Sequence, residues 1–320
     1  MRRREALALL AGSLLGGCAG VTPARRSGEA QAYLFSYFVG KGTDGLHFAA
    51  SQDGYAWDAL RGGASFLAPA VGPSKLMRDP CIARGPDGMF HMVWTSGWND
   101  AAIGYAASPD LVNWSAQRAL PVMAHEPAAL NAWAPEIFHD ARRGHFLILW
   151  SSTIPGRFPD SDAAGDAAGD NKYNHRIYAT TTRDFVSFTP TRLFYDPGFS
   201  VIDATFVQAL GRDWLIVKDE TRHPPKKHLQ IAPADSLEGP FGMLGAPITP
   251  PGLWAEGPSA LQVGDEVLVY FDAYTAGHYG ALRSRDMRQW EDVSARLRFP
   301  KGMRHGTAFA VPAGLVDRLR

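Results

Sequence analysis

The sequence predicts an all-β fold, a five-bladed β-propeller, because three features recur along its 320 residues. Five short runs begin with a polar residue, five apolar or alternating runs follow them, and one turn pattern recurs between strands. The polar residues are 49 to 67 residues apart, a spacing that a four-stranded propeller blade requires. Nine Trp, ten Tyr and 33 Gly suit short strands and tight turns better than a helical bundle.

The first repeat places a polar residue at the mouth of each of five runs that are rich in small, β-branched or aromatic residues. These runs read RDPCIA, WAPEIF, VIDATF, EGPSALQV and RHGTAF. Because inner strands of a propeller surround one axis, we expect the five polar side chains to occupy equivalent positions and to point into one funnel. They are Asp79, Glu136, Asp203, Glu256 and His305.

The second repeat supplies the outer strands and their turns. Apolar or alternating runs predict strands at 32–38, 89–96, 145–152, 213–219 and 266–273. Turns that read Ser/Thr-x-Asp with an aromatic residue at the end follow at 51–57, 108–114, 182–188 and 284–290, with a degenerate copy at 234–241. The Asp is expected to accept backbone N–H bonds and the aromatic residue to pack between blades, so both are structural.

The two ends of the repeat are incomplete, which predicts how the ring closes. The first unit, 32–58, has no polar-headed strand before it, and the strand at His305 has no outer strands after it. Pairing both ends in one blade removes exposed sheet edges. The propeller is therefore expected over 32–313, with a tail at 314–320. The acidic run within 154–174 misses the calcium-loop spacing and predicts a solvated insertion.

The N-terminus has the features of an export signal. A basic start, a short apolar run at 6–15 and the sequence Leu-Gly-Gly-Cys predict a signal peptide over residues 1–17 that is too short to span a bilayer. Leu-Gly-Gly-Cys resembles a lipobox, so Cys18 is expected to be lipidated, with 18–31 as the lipidated N-terminus and tether in the periplasm or outer membrane. An ordinary cleaved signal with an incidental Cys is the alternative.

Charge and cysteine content limit the partners. The formal net charge is +0, and the chain stays near neutral without the signal, so there is no electrostatic case for nucleic acid or an anionic membrane surface. Membrane contact is expected only through the lipid anchor. Lipidation of Cys18 leaves Cys81 without a partner, so the fold must be stabilised by its core.

The order of RDP, WAPE, VIDA, EGP and RHG resembles glycoside hydrolase family 43, the five-bladed propeller α-L-arabinofuranosidases and β-xylosidases, over residues 33–311. The resemblance implies that Asp79 is the general base, Glu256 the general acid, and Asp203 the residue that orients the acid and tunes its pKa. His305 matches a histidine that lies near a central ion in some members. That implies a possible structural calcium, whereas the chemistry needs no cofactor; a satisfied inner-strand histidine is the alternative reading.

The chemistry itself requires such residues. Acetal cleavage with inversion uses one carboxylic acid and one carboxylate about 6.5–9.5 Å apart, a gap that strands of different blades can span. Glu256 must be protonated near neutrality, for which burial beside Trp254 and Trp133 and the nearby Asp203 are plausible causes. Asp79 must remain ionised to act as a base.

Aromatic and polar residues near these motifs are candidates for binding sugar. Trp98, Trp133 and Trp254 are expected to contact sugar faces, whereas Trp94 alternates within a strand and is expected in the core. Glu136 either contacts a sugar hydroxyl or holds the turn at Trp133. A further candidate, Arg283, resembles a family arginine that contacts substrate, and a structural salt bridge is its alternative.

The sequence thus predicts an exo-acting, inverting glycosidase with an oligo- or polysaccharide substrate, and α-L-arabinofuranosidase is the favoured activity. β-D-xylosidase and exo-galactosidase are alternatives on the same fold. RDP also resembles a motif of retaining fructosidases, but here it opens the series. A glycan-binding propeller lipoprotein that has lost turnover is the alternative from another class, since fold alone does not imply function.

Overall fold

The computed structural model describes residues 31–162 and 173–320, which form five antiparallel sheets around one axis. The first blade holds β1 (Gln31–Val39), β2 (His47–Ser51) and β3 (Asp58–Ala59). The second holds β4 (Arg78–Arg84), β5 (Phe90–Thr95), β6 (Ile103–Ser108) and β7 (Arg118–Leu120). The third holds β8 (Trp133–Asp140), β9 (His145–Thr153), β10 (His175–Thr182) and β11 (Arg192–Tyr195).

The remaining strands complete the ring. The fourth blade holds β12 (Val201–Ala209), β13 (Arg212–Asp219) and β14 (His228–Ala234). The fifth holds β15 (Glu256–Val263), β16 (Glu266–Ala273), β17 (His278–Ser284) and β18 (Glu291–Asp292). Strand β19 (Met303–Pro312) returns to the first blade, and single 3-10 turns lie at Leu60–Gly63, Pro159–Ser161 and Ser294–Arg296. The predicted five-bladed propeller is confirmed.

Ring closure follows the predicted route. β19 pairs antiparallel with β1 from Gln31 opposite Pro312 to Val39 opposite Met303, so the last strand of the chain becomes the inner strand of the first blade. Both neighbours of β1 in that sheet are therefore filled, and no inner edge is left open.

The core is divided among the blade interfaces. Five buried apolar clusters each join two neighbouring blades, and together they cover all five interfaces of the ring. Trp57 is an example, since its ring packs edge-on against Phe35 of the first blade and Tyr270 of the fifth. Apolar burial of this kind is the main favourable term in folding, and here it also fixes the blades relative to one another.

The repeated turns are structural, as predicted. In the four full copies of the turn one aspartate oxygen accepts two backbone N–H groups, for example those of Tyr55 and Ala56 at 2.8 and 2.9 Å from Asp53 Oδ1. The same pair of bonds recurs at Asp110, Asp184 and Asp286.

The C-terminal segment is more than the tail expected at 314–320. Helix α1 (Ala313–Leu319) buries Leu315, Val316 and Leu319 in the cluster between the first and second blades. No helix among the described residues is long and apolar enough to cross a membrane. The signal peptide, Cys18, most of the tether and the centre of the insertion at 154–174 lie outside the described residues.

Candidate active site

A bulge near the start of each inner strand builds the site. In β4, β8, β12 and β15 three residue steps oppose two steps of the neighbouring strand. The residue inside each bulge has a positive φ: 52° at Asp79, 46° at Ala134, 54° at Asp203 and 58° at Gly257. In β19 the same shift falls at His305. A bulge redirects its side chain, so two successive residues of one strand can face the axis.

Aligning the bulges gives three rings of residues around the axis. The outer ring precedes the bulge and contains Arg78, Trp133, Ile202, Glu256 and Arg304. The middle ring lies in the bulge and contains Asp79, Ala134, Asp203, Gly257 and His305. The deep ring lies two residues further on and contains Cys81, Glu136, Thr205, Ser259 and Thr307.

The rings correct one sequence prediction. Asp79, Asp203 and His305 are equivalent, but Glu256 belongs to the outer ring and Glu136 to the deep ring. A cavity of about 470 Å³ is lined by the outer ring and by the middle ring except Gly257. The deep ring is absent from its lining, so four of the five predicted side chains meet in one cavity and Glu136 lies beneath it.

Asp79 is held as a carboxylate. The Thr95 hydroxyl accepts the Ala134 N–H at 2.8 Å, which directs its own proton to Asp79 Oδ2 at 2.7 Å. His305 Nδ1 lies 3.4 Å from Asp79 Oδ1. Burial alone would raise the pKa of Asp79, but the hydrogen bond and charge of His305, with Arg78 and Thr95, lower it to about 2. The group is therefore ionised at neutral pH, as a general base must be.

His305 is the cationic partner of that carboxylate. Burial would lower the pKa of His305, yet the hydrogen bond and charge of Asp79, with Asp203 and Glu136, raise it to about 9. Calcium prefers six to eight oxygen ligands, which the imidazole of His305 does not supply, and a calcium in the channel stays a prediction. Within the described residues the group of three potential ligands lies elsewhere, at Asp140, His145 and Glu238.

Asp203 has the opposite environment to Asp79. Its Oδ2 accepts the Gly257 N–H at 2.9 Å, and its own N–H donates to Ser151 Oγ at 3.3 Å. Burial, aided by the charge of Glu256, raises its pKa to about 6 despite His305 and Lys218. Gly257 is required here because a Cβ would lie 2.4 Å from the His305 ring.

Glu256 lies between two cations that the sequence did not reveal as partners. Lys218 Nζ donates to Oε2 at 3.3 Å, and Arg304 donates to Oε1 at 3.1 Å. Each cation also has a second carboxylate: Glu220 lies 2.7 Å from Lys218, and Asp272 contacts Arg304. Protonation of Glu256 would thus leave neither cation without a counter-ion.

These missed residues share a position that the sequence does contain. Thr95, Ser151, Lys218 and Asp272 lie on the second strands, each directly opposite a residue of the outer ring. Each is the polar end of an otherwise apolar strand, as in Trp-Leu-Ile-Val-Lys. The signal was therefore present, but only the structure shows that Thr95 and Lys218 line the cavity, whereas Ser151 and Asp272 are buried behind it.

The three predicted sugar-binding tryptophans line the cavity. Trp98 is 47% exposed and packs edge-on against Trp133, whose indole N–H donates to the Trp98 carbonyl at 2.8 Å. Trp254 lies on another side, near the Tyr274 ring. Exposed aromatic faces at the mouth of a polar cavity suit the apolar faces of sugar rings.

Two predicted sugar contacts are corrected. Glu136 is buried in the deep ring, where Cys81 Sγ and the Thr205 hydroxyl donate to it at 3.3 and 3.0 Å, so it holds neither a sugar nor the Trp133 turn. Arg283 lies away from the cavity and forms a structural salt bridge with Glu266 at 3.0 Å. Arg283 pairs with Leu268 of β16, four residues from Asp272, which lies opposite Glu256, so Arg283 is far from the end of the blade that borders the cavity.

Comparison with known proteins agrees with this arrangement. A family described as "Probable glycosyl hydrolase domain" matches residues 28–315. An α-L-arabinofuranosidase of Bifidobacterium longum subsp. longum is 26% identical over 164 residues, which are 45% of this chain and 15% of that protein.

Solved structures share the fold at low identity. An α-L-arabinofuranosidase from Lactobacillus brevis has a TM-score of 0.53 at 18% identity, covering 68% of this chain and 72% of that one. A thermostable family-43 glycoside hydrolase gives 0.52 at 15%, covering 68% and 71%. Native Bacillus subtilis arabinanase gives 0.50 at 15%, covering 68% and 76%.

The axial cavity of this five-bladed propeller groups the carboxylates of Asp79, Asp203 and Glu256, and the family that matches the chain is one of probable glycosyl hydrolases. The family match extends over most of the sequence. The chain belongs to glycoside hydrolase family 43.

Proposed function

We propose that this hydrolase is exo-acting and inverting, with Asp79 as the general base, Glu256 as the general acid and Asp203 as the residue that orients the acid. The main support is the pair of carboxylates that faces one cavity from different blades, of which Asp79 is held ionised by His305. An inverting mechanism requires such a pair on opposite sides of the sugar.

In the proposed reaction these groups accept and donate every proton that is transferred. Water attacks the anomeric carbon and gives its proton to Asp79, while the bond to the leaving oxygen breaks and Glu256 donates a proton to that oxygen. Asp203 interacts with Glu256 through the backbone, since it accepts the N–H of the next residue, Gly257. Solvent then exchanges protons with both carboxyl groups to restore the resting state.

The favoured substrate is an α-L-arabinofuranoside at a chain end. Relatives described as α-L-arabinofuranosidases support the sugar, and a single cavity above a buried deep ring supports attack at a terminus. Nitrophenyl α-L-arabinofuranoside, β-D-xyloside and galactosides separate the favoured activity from xylosidase and exo-galactosidase. Binding of glycans without turnover of any of them would favour the non-catalytic propeller.

The roles are tested with Asp79→Asn and Glu256→Gln, and Glu291→Gln serves as a control because that exposed carboxylate lies outside the cavity. Both site variants should lower kcat on an unactivated glycoside by about 10²–10⁴. On an activated leaving group the Glu256 variant should recover part of its rate, since that group needs little protonation, whereas the Asp79 variant should not.

Equal residual rates for both variants on both substrates would contradict this assignment. Proton NMR of the first sugar released by the wild-type enzyme should show an inverted anomer. A retained anomer would instead favour the fructosidase-like mechanism.

A further inference from the structure

The cavity contains more cationic than anionic side chains. Its cations are Lys41, Arg78, Lys218, Arg222, Lys227, Arg304 and the imidazolium of His305, whereas its carboxylates are Asp79, Asp203, Glu220 and Glu256. A neutral pentose or hexose needs hydrogen bonds and aromatic faces, but it does not need a surplus of positive charge. Such a surplus in a cavity concentrates anions and speeds their association.

Most of these cations form ion pairs with carboxylates, so they contribute little to the surplus of positive charge. Lys218 and Lys227 share the carboxylate of Glu220. Arg304 contacts Asp272 as well as the proposed acid. These groups form a continuous network along one side of the cavity, and their charge is largely compensated by their neighbours.

Arg78 and Lys41 differ, because no salt bridge of either is found among residues 31–162 and 173–320. The guanidinium carbon of Arg78 lies 4.6 Å from the centre of the Phe38 ring and 4.3 Å from that of the Trp98 ring. Stacking occupies the faces of a guanidinium and leaves its N–H edges available to an acceptor in the same plane. No hydrogen bond from those edges is found in the described part of the chain.

The two cations lie on the same side of the cavity. Arg78 is the outer-ring residue of the second blade and directly precedes Asp79, and Lys41 follows β1 of the first blade. Arg78 lines the cavity with its N–H edges unused, so they are open to an acceptor that a ligand brings into the cavity. A carboxylate matches this fork in shape and charge, with two parallel N–H···O bonds.

We propose that the glycan taken at this site carries an anionic group, the carboxylate of a uronic acid residue, which binds the edge of Arg78 with Lys41 as a second contact. The inference rests on the proposed function for its location and narrows the class of substrate. A sulfate ester offers similar oxygens, and the experiment distinguishes a glycan that carries a carboxylate from one that carries a sulfate ester.

The test is calorimetric binding to the full chain, which needs no turnover. The probes are trigalacturonate and an arabinoxylan oligosaccharide that carries glucuronic acid, each compared with its carboxyl-reduced form. The wild type should bind at least one acidic probe about ten-fold or more tightly than the reduced form. That preference should weaken as salt rises, because the contact is ionic.

Variants then assign the preference to Arg78. Arg78→Gln should abolish it, and Arg78→Lys should retain part of it, since the charge stays but the fork is lost. Arg296→Gln is the matched control: that guanidinium stacks 4.4 Å from the Tyr55 ring outside the cavity, and its loss should leave the preference intact.

Three results would overturn the proposal. The first is equal binding of both acidic probes and their reduced forms, and the second is a preference that survives in Arg78→Gln. The third is binding of a sulfated neutral oligosaccharide without binding of either carboxylate. If Arg78 serves only to keep Asp79 ionised, Arg78→Gln will shift the acidic limb of the kcat profile on neutral substrate and leave the preference unchanged. Failure of hydrolysis, by contrast, would count against the proposed function alone.

Discussion

At the scale of single residues, the carboxyl groups around the axis have different pKa values because their surroundings differ. Asp79 has a pKa lowered to about 2 because His305 outweighs its burial, whereas burial raises the pKa of Asp203 to about 6 and that of Glu136 to about 7. Environments that separate pKa values in this way are typical of acid and base chemistry. The protonated His305 of the middle ring keeps Asp79 ionised beside Asp203 and Glu136, whose pKa values are raised.

The pH dependence of the free energy of unfolding tests the raised pKa of Glu136. Its folded-state pKa of about 7 is above its ordinary value of 4.5, so the folded protein binds the proton more tightly than the unfolded chain. The contribution of Glu136 to the free energy of unfolding should therefore fall by roughly 3 kcal/mol as pH rises from about 4.5 to about 7, in addition to the fall that comes from the raised pKa of Asp203. Glu136→Gln stays neutral and should lack the part of the fall that comes from Glu136.

The measurement is urea unfolding at several pH values for the wild type, Glu136→Gln and the exposed control Glu291→Gln. We expect the control to run parallel to the wild type and the Glu136 variant to gain stability relative to both between about pH 4.5 and 7, with the full difference reached above pH 7. Parallel curves for all three proteins would mean that Glu136 is not protonated in the fold.

At the scale of elements, the bulge and the closing strand decide where side chains lie. A bulge lets Arg78 and Asp79 of β4 both face the cavity, although neighbours on a regular strand point to opposite faces. The closing strand β19 adds Arg304 and His305 in the same way. The active site thus depends on the contact between the two ends of the chain.

Gly306 is the most sensitive point of that contact. A Cβ on Gly306 would lie 1.8 Å from the Ser36 carbonyl oxygen of β1, so Gly306→Ala must push the two strands apart. We expect unfolding at lower urea, with a loss of about 3 kcal/mol or more, and lower activity from displaced His305. The control is Gly314→Ala, where the nearest atom to a Cβ is 3.9 Å away on a flexible arginine.

Gly314→Ala should be neutral or stabilising by up to about 1 kcal/mol, because alanine favours helix α1. Equal unfolding curves for Gly306→Ala and the wild type would show that β19 does not close the ring as described.

At the scale of the whole molecule, five blade interfaces stabilise the fold without a disulfide in the described chain, where Cys81 is free and buried. The first 30 residues lie outside the described part of the chain. We propose that they serve export, with Cys18 as the lipidated residue that holds the enzyme to a membrane surface.

Deletion of residues 1–28 should therefore give an active enzyme in the aqueous fraction, whereas the full chain expressed in a bacterium should fractionate with membranes. Cys18→Ser should abolish incorporation of labelled palmitate, and Cys81→Ser is the control that should keep it. Incorporation that persists in Cys18→Ser, or a full chain that is released without lipid, would favour an ordinary cleaved signal.

The sequence by itself determined the architecture. Its blade-sized spacing, its alternating apolar runs and its repeated Asp turns each follow from local physical rules that need no tertiary contact. The incomplete units at both ends even determined how the ring closes. The same spacing identified Asp79, Asp203, Glu256 and His305 as residues of one cavity, and they do meet there.

Only the tertiary structure decided how deep each side chain lies along the axis and which residues it contacts. The bulge residue of β8 is Ala134 and Glu136 comes two residues later, which is why Glu136 lies beneath the cavity although its motif resembles the others. Contacts such as that of Lys218 with Glu256 join neighbouring blades across 38 residues of sequence. Arg283 is excluded by its position along β17, away from the end that borders the cavity. Register and side-chain direction are properties of paired strands, so no single segment of the sequence contains them.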